Sequence, residues 1–150
     1  LVTPMQLAVQ AACIANDGYY IEPHLVRDSI YTKHETGIDT ACFAPVKRGM
    51  RRVMSAGTGR WYDVPELMMG GKTGTAQNPH GEDHAIFMGF APIDDPQIAI
   101  AVVVENAGFG AVWACPVAVL LTEQYLTGRI SHNQAAYQRL VNTHLIHTAQ

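Results

Sequence analysis

The sequence predicts an α+β fold in which an antiparallel sheet meander is covered by helices, and three observations predict it. Residues 67–77, 84–91 and 97–105 read as strands in quick succession. The connections between them, Asn78-Pro79-His80-Gly81-Glu82-Asp83 and Pro92-Ile93-Asp94-Asp95-Pro96, are dense in turn formers, and connections this short join antiparallel neighbours. Ile98 to Val104 is apolar on both faces, so that strand needs cover on both sides, which the helical segments before and after the strands can supply. With 48% of its 150 residues hydrophobic and 15% charged, the chain has the composition of a globular body with a sizeable core. A net charge of −3 removes the strong positive field that broad nucleic-acid binding requires.

The elements follow from local chemistry. Thr3 can cap a helix with Pro4 in its first turn, running to about Asn16, where Gly18 stops it. Between Met5 and Ala15 only Gln6 and Gln10 are polar, a pattern that suits a helix buried in a larger body. Residues 19–32 contain Pro23 and a β-rich stretch from His24 to Tyr31, expected as an extended segment or edge strand, and 33–44 is expected as loop. Pro45 starts a second helix on which Val46, Met50, Val53 and Met54 share a face. Its opposite side carries Lys47, Arg48, Arg51 and Arg52, a solvated face in the plainest view and an anionic-ligand patch in the alternative. Gly57-Thr58-Gly59 then leads into a loop containing Trp61 and Pro65. After the strands, a glycine-rich loop at 107–110 precedes a helix near 113–126 that Gly128 terminates. Ser131 is expected to cap a last amphipathic helix with Tyr137, Leu140, Val141 and Leu145 on one face. Cys13, Cys42 and Cys115 show no paired spacing and read as small buried hydrophobes. The longest apolar run without proline, Ile98 to Val104, falls far short of the roughly 20 residues of a spanning helix. The chain opens at Leu1 without an initiator Met or a signal-peptide pattern, and so reads as a cut into a longer protein.

Gly70-Gly71-Lys72-Thr73-Gly74-Thr75-Ala76-Gln77 carries the most chemical information, because it sets a cation, two hydroxyls and several glycines on one strand. With a period of two, Thr73 and Thr75 share one face and Lys72 and Gly74 the other. Paired hydroxyls with an ammonium nearby suit a carboxylate, and an edge strand can pair with an extended peptide through its main chain. A phosphate-binding loop is excluded, since Glu66 stands where its first glycine belongs and turn residues, not a helix, follow Gln77. The bland alternative is a surface lysine on a glycine-bearing strand. Seven histidines do not form a metal pattern: His80 and His84 flank Gly-Glu-Asp with Asp83 where a glutamate is required, and His144 and His147 lack further ligands at zinc spacing. No metal or cofactor is expected, and His84 is expected to be a hydrogen-bonded structural residue near the cleft, with a minor substrate contact as the alternative.

Several stretches, in order, resemble the C-terminal half of class B penicillin-binding proteins. They are Thr3-Pro4-Met5-Gln6-Leu7-Ala8, Gly18 to Val26 with Pro23-His24-Leu25-Val26, Gly71-Lys72-Thr73-Gly74-Thr75-Ala76-Gln77, His84-Ala85-Ile86-Phe87-Met88-Gly89-Phe90-Ala91-Pro92, and Val102-Val103-Val104-Glu105-Asn106. Gln77 and the strand starting at His84 point to the elongation-type, penicillin-binding protein 2 group. The resemblance implies the C-terminal half of a penicillin-binding/serine β-lactamase-like transpeptidase domain over residues 1–128, with 129–150 a tail holding a short helix. It implies D,D-transpeptidase chemistry on peptidoglycan stem peptides ending in D-Ala-D-Ala, through an acyl-serine that β-lactams also form. Lys72 would set the electrostatics beside the active-site hydroxyls, and Thr73 and Thr75 would hold the terminal carboxylate. Gly74 would keep the approach clear, the Thr75 N–H would serve the oxyanion, and Gln77 would join the substrate-binding residues. The family's Ser-x-x-Lys and Ser-x-Asn motifs precede the lysine strand, and these 150 residues have neither there. Ser29, Ser55 and Ser131 are followed three residues later by Thr32, Thr58 and Gln134, and Ser131-His132-Asn133 lies after the strand, a chance match. Without an activated nucleophile the 150 residues alone are expected to be inactive. The resemblance further implies a partner in the N-terminal remainder of the same protein, a glycosyltransferase partner, and a location on the periplasmic side of the cytoplasmic membrane, anchored by a helix outside this chain. Two alternatives stay open: a non-catalytic peptide-binding or scaffold module, and a serine β-lactamase or penicillin sensor of the same fold.

Overall fold

The computed structural model describes residues 2–26 and 30–145. Helix α1 (Pro4–Ala15) starts in a capping box: the Gln6 amide donates to the Thr3 hydroxyl and the Thr3 amide to the Gln6 side chain, with Pro4 in the first turn. Its end is closed by Gly18 at φ +110, whose amide donates to the Cys13 carbonyl, a conformation that glycine adopts without strain. The all-round apolar surface is only partly covered here, since Ala11 and Ala15 are its buried residues and Met5 is exposed.

A two-stranded antiparallel hairpin follows, β1 (Tyr19–Ile21) paired with β2 (Lys33–Glu35). This corrects the sequence expectation twice. The strand lies before the 24–31 stretch, and the segment expected to be loop from 33 contains its partner. Tyr20 stacks on His34 with centroids 5.0 Å apart, and Lys33 sits over the Tyr19 ring while pairing with Glu35. Such cross-strand contacts stabilise a short ladder that intrinsic propensity does not announce. Residues 27–29 in the middle of the expected stretch, Ser29 among them, and His147 lie outside the described residues.

Helix α2 (Phe43–Ser55) starts two residues before Pro45. Met50 and Met54 are buried as the spacing predicts, but Val46 is exposed. The basic side is not uniformly solvated. Lys47 pairs with Asp17 at 2.8 Å, and Arg51 forks onto Asp63 at 2.7 and 2.9 Å while also donating to the Met69 carbonyl at 3.2 Å. Two charges read as surface decoration therefore fasten α2 to neighbouring loops, and Arg51 holds the residue before the central sheet in place.

The sheet is the meander read from the sequence: β3 (Gly70–Ala76), β4 (His84–Ala91) and β5 (Ile98–Val104), antiparallel in the order β3-β4-β5. The sequence expectation starts the first strand at 67, but Leu67 ends a 3-10 turn and Met68 is left-handed, so β3 begins at Gly70. Ala85, Phe87 and Ala91 pack with Ile98, Ile100, Val102 and Val104 against Ala114, Cys115, Ala118 and Val119 of α3 (Ala114–Thr127). Phe90, Met88 and Ala99 turn the other way, onto Ala15 of α1 and Met50 of α2. Helices thus cover β5 from both sides, although each of its residues keeps some exposure. The register sets Gly71 opposite Gly89. A Cβ on Gly71 would lie 2.1 Å from the Phe87 ring and one on Gly89 2.9 Å from it, so two absent side chains make room for the fully buried Phe87.

Gly128, at φ +77, ends α3 as expected. The last helix, α4 (Gln134–Asn142), is not capped by Ser131. Ser131 instead donates its hydroxyl and amide to Glu123 at 2.7 and 3.0 Å, and His132 adds its amide and ring Nδ1, the latter at 2.7 Å. A buried carboxylate outbids a helix end for the hydroxyl because an unmatched buried charge is far more costly than an uncapped, exposed first turn. Ala136 is the buried residue of α4, Tyr137 and Val141 are exposed, and Leu145 lies beyond its end. Of the three cysteines only Cys115 is a buried hydrophobe, its thiol pushed up to about 12 by burial and the Asp63 charge, whereas Cys42 is exposed and Cys13 intermediate. Among the described residues no helix is long and apolar enough to cross a membrane.

Burial by itself would raise the Glu123 carboxyl, but the hydrogen bonds from Ser131 and His132 outweigh it and hold the group down at about 2. The sign follows from linkage: a depressed carboxyl contributes stability above its unfolded value of 4.5 that is lost as pH falls through the folded value. Melting followed from neutral pH into acid should show this loss between about 4.5 and 2. Glu123→Gln should flatten that slope and cost roughly 1.5–3 kcal/mol at neutral pH, the range for hydrogen bonds to a charged group. An acid slope unchanged in the variant would contradict the assignment.

Candidate functional site

Every residue from Lys72 to Thr75 lies on β3, a strand that pairs with β4 along one edge and with no other strand among the described residues. The alternation read from the sequence holds in register. Thr73 and Thr75 stand opposite Phe87 and Ala85, both in the core cluster on the α3 side, while Lys72 and Gly74 stand opposite Met88 and Ile86.

The two hydroxyls are not equivalent, which alternation did not foresee. Thr73 is buried and its Oγ1 lies 2.7 Å from the Thr58 Oγ1. Thr75 is exposed, and its Oγ1 accepts a long hydrogen bond, 3.5 Å, from the Gly110 amide. A hydroxyl that accepts from an amide keeps its own proton to donate outward, so Thr75 is poised as a donor to an arriving acceptor. Lys72 is exposed, donates to the Thr73 carbonyl, and has no carboxylate partner among the described residues. An outward-donating hydroxyl and an ammonium without a carboxylate partner among the described residues, three residues apart on opposite faces of one strand, suit this stretch to an anion that reaches it from the strand's edge.

Gly110 reaches Thr75 because its backbone lies flat on the sheet. A Cβ there would come within 2.1 Å of the Gly74 carbonyl oxygen and 2.3 Å of the Ile86 oxygen. Gly74 differs: its Cβ would meet Ile86 at an ordinary 3.4 Å, so nothing inside the described fold demands glycine there. Gln77 follows the last residue of β3, is exposed, and lines an open groove of about 530 Å³ with Asn78, Pro79 and Asp83. That groove is braced from behind. The Asp83 carbonyl accepts the Ala107 and Gly108 amides, Asn78 Nδ2 donates to the Asn106 side chain at 2.7 Å, and the Asn106 amide donates to His84 Nδ1 at 3.0 Å. His84 is the hydrogen-bonded residue the sequence suggested.

Thr58, Gly110 and the Asn78–Asn106 pair were missed from sequence. Their partners lie 15, 35 and 28 residues away, and no periodicity reports contacts of that span. A hydroxyl held between Gly57 and Gly59 was the one local hint. Ser131 is spent on Glu123 and Asn133 donates to the Tyr62 carbonyl, so the Ser131-His132-Asn133 match has a structural explanation.

Comparison with known proteins bears on the family and the fold. The family description "Penicillin binding protein transpeptidase domain" matches residues 1–119. The peptidoglycan D,D-transpeptidase MrdA of Acinetobacter baumannii is 35% identical over 135 residues, which cover 72% of this chain and 20% of that protein. MrdA of Haemophilus influenzae is 31% identical over 157 residues, covering 85% of this chain and 24% of the relative. The chain therefore spans about a fifth to a quarter of the length of these relatives. Among solved structures, Pseudomonas aeruginosa PBP2 in complex with WCK 5153 superposes with a TM-score of 0.71 at 34% identity, over 89% of this chain and 32% of that one. A ceftriaxone acyl-enzyme of penicillin-binding protein A from M. tuberculosis gives 0.76 at 27%, over 84% of this chain and 33% of that one.

The contrast between the glycines is measurable. Gly110→Ala should cost about 1–3 kcal/mol in melts, because two carbonyl oxygens must move, while Gly74→Ala should change stability by no more than about 0.5 kcal/mol. Equal effects would show that the loop does not lie on the sheet as described.

Proposed function

The chain belongs to the penicillin-binding protein transpeptidase family, and from that premise we propose that it supplies the carboxylate-binding and oxyanion side of a peptidoglycan D,D-transpeptidase active site. The observation that carries the proposal is that one strand, with an open edge among the described residues, bears both the Lys72 ammonium, free of any carboxylate partner among those residues, and the exposed Thr75 hydroxyl.

An extended stem peptide ending in D-Ala-D-Ala adds along β3 by main-chain pairing, and its terminal carboxylate meets the Thr75 hydroxyl. Thr73, oriented by Thr58, backs the same face as the second hydroxyl. Lys72 supplies the positive potential that draws the carboxylate in and favours the ionised forms of the reacting groups. Gly74, under no internal demand to be glycine, leaves the backbone clear for close approach. Gln77 contacts the substrate from its groove.

The nucleophilic serine comes from the remainder of the protein, since no serine of this chain has the lysine three residues on. It attacks the carbonyl between the two D-Ala residues, and the Thr75 amide donates to the oxyanion that forms, a contribution of about 2.7–4 kcal/mol for such a donor. The terminal D-Ala leaves, and an amine from a neighbouring strand resolves the acyl-serine. β-Lactams acylate the same serine because their carboxylate mimics the peptide terminus. Residues 1–128 form the C-terminal portion of this domain and 129–150 a tail. The parent protein is anchored in the cytoplasmic membrane by a helix outside these residues, works on the periplasmic side, and partners a glycosyltransferase.

A fluorescent penicillin should label the full-length protein and leave residues 1–150 unlabelled, and covalent labelling of the isolated piece would defeat this division of roles. In the full-length protein Thr75→Val should slow acylation about 10- to 150-fold, the range for losing a hydrogen bond to a charged group. A scaffold module would show no labelling in either form. A β-lactamase would turn the acyl-enzyme over rapidly, read as loss of label within minutes.

A further inference from the structure

Helix α4 contributes little burial, with Ala136 its buried residue, yet its polar contacts converge on two loops of the body. Arg139 donates through Nη2 to the Val112 carbonyl at 2.6 Å and to the Tyr62 hydroxyl at 3.3 Å, and its guanidinium lies 4.7 Å from the centre of the Trp113 ring. Asn133, just before the helix, donates to the Tyr62 carbonyl at 2.9 Å. The Glu123 cluster fixes the chain reversal that brings α4 to this position.

These two loops also hold the two threonines. Tyr62 closes a series of tight turns from Gly57, in which the Arg60 amide donates to the Gly57 carbonyl and the Tyr62 amide to Gly59, and Thr58 in that series bonds Thr73. Val112 belongs to a turn in which its own amide and that of Trp113 donate to the Phe109 carbonyl, while Cys115 donates to Gly110, and Gly110 bonds Thr75. Each loop is stiffened by its own backbone hydrogen bonds, so a shift at Tyr62 or Val112 is passed on to Thr58 or Gly110. One nitrogen of the guanidinium, Nη2, therefore spans the supports of both hydroxyls, with the ring of Trp113 beneath the same group.

We propose that Arg139 is a positioning residue for the two-threonine site on β3, acting through the loops that orient Thr73 and Thr75. The inference rests on the carboxylate-binding role proposed above. It adds that the segment after α3 is part of the apparatus that sets the strength of carboxylate recognition, although Arg139 itself touches no substrate.

The test uses the full-length protein and compares acylation rates for a penicillin and for its methyl ester, which lacks the anionic carboxylate. Arg139→Ala should slow the free acid about tenfold while leaving the ester within about twofold, because small misplacements of a positioning group are felt where the geometry is used. Arg139→Lys should fall between wild type and alanine, and it carries the same comparison should the alanine variant fail to fold. A general loosening of the fold would slow acid and ester alike, and that result, or no change in either, overturns the proposal. Thr75→Val serves as the reference for the underlying role. If it too affects acid and ester equally, the carboxylate site itself is wrong and the inference falls with it, whereas a selective effect of Thr75→Val without one of Arg139→Ala sinks only the positioning role.

Discussion

The position of each functional group on β3 depends on the Phe87 ring lying in the space that Gly71 and Gly89 leave empty. The ring is fully buried, and the two glycines face each other across the β3–β4 ladder. A slip of one residue would set a side chain against the ring and turn Thr73 and Thr75 to the opposite face. Register, core and chemistry are therefore one constraint. The same glycine run that makes the strand look weak in isolation fixes how it pairs.

From that fixed strand the site is assembled by loops. The segment around Thr58 orients one hydroxyl, and the loop around Gly110 orients the other. Arg51, forked onto Asp63 and bonded to the Met69 carbonyl, holds the backbone immediately before Gly70. Lys47 and Arg51 are paired with the Asp17 and Asp63 carboxylates, whereas Lys72 bonds only a neighbouring carbonyl among the described residues. That contrast supports the role proposed for Lys72 toward an incoming anion.

Local signals and long-range ones separate cleanly by element. The Thr3 cap, the Gly18 and Gly128 stops and the three strands of the meander were legible because each rests on residues adjacent in sequence, with turn formers marking the strand ends. The Tyr19–Ile21 and Lys33–Glu35 hairpin was not, because stacking of Tyr20 on His34 stabilises it across an intervening segment. Ser131 looked like a helix cap by type and position, but Glu123, eight residues earlier, holds it. Lys47 and Arg51 looked solvated because their acidic partners stand on other elements.

What the sequence determined by itself was the family and the strand that bears Lys72, Thr73, Gly74 and Thr75, since motif order and period-two alternation are properties of neighbouring residues. Tertiary structure alone decided that Thr73 is buried against Thr58 while Thr75 stays exposed beside Gly110, and that one arginine near the end of the chain spans both supports. The physical reason is that hydrogen bonds act over about 3 Å in space irrespective of separation along the chain, and only the packed fold brings such distant residues within that distance.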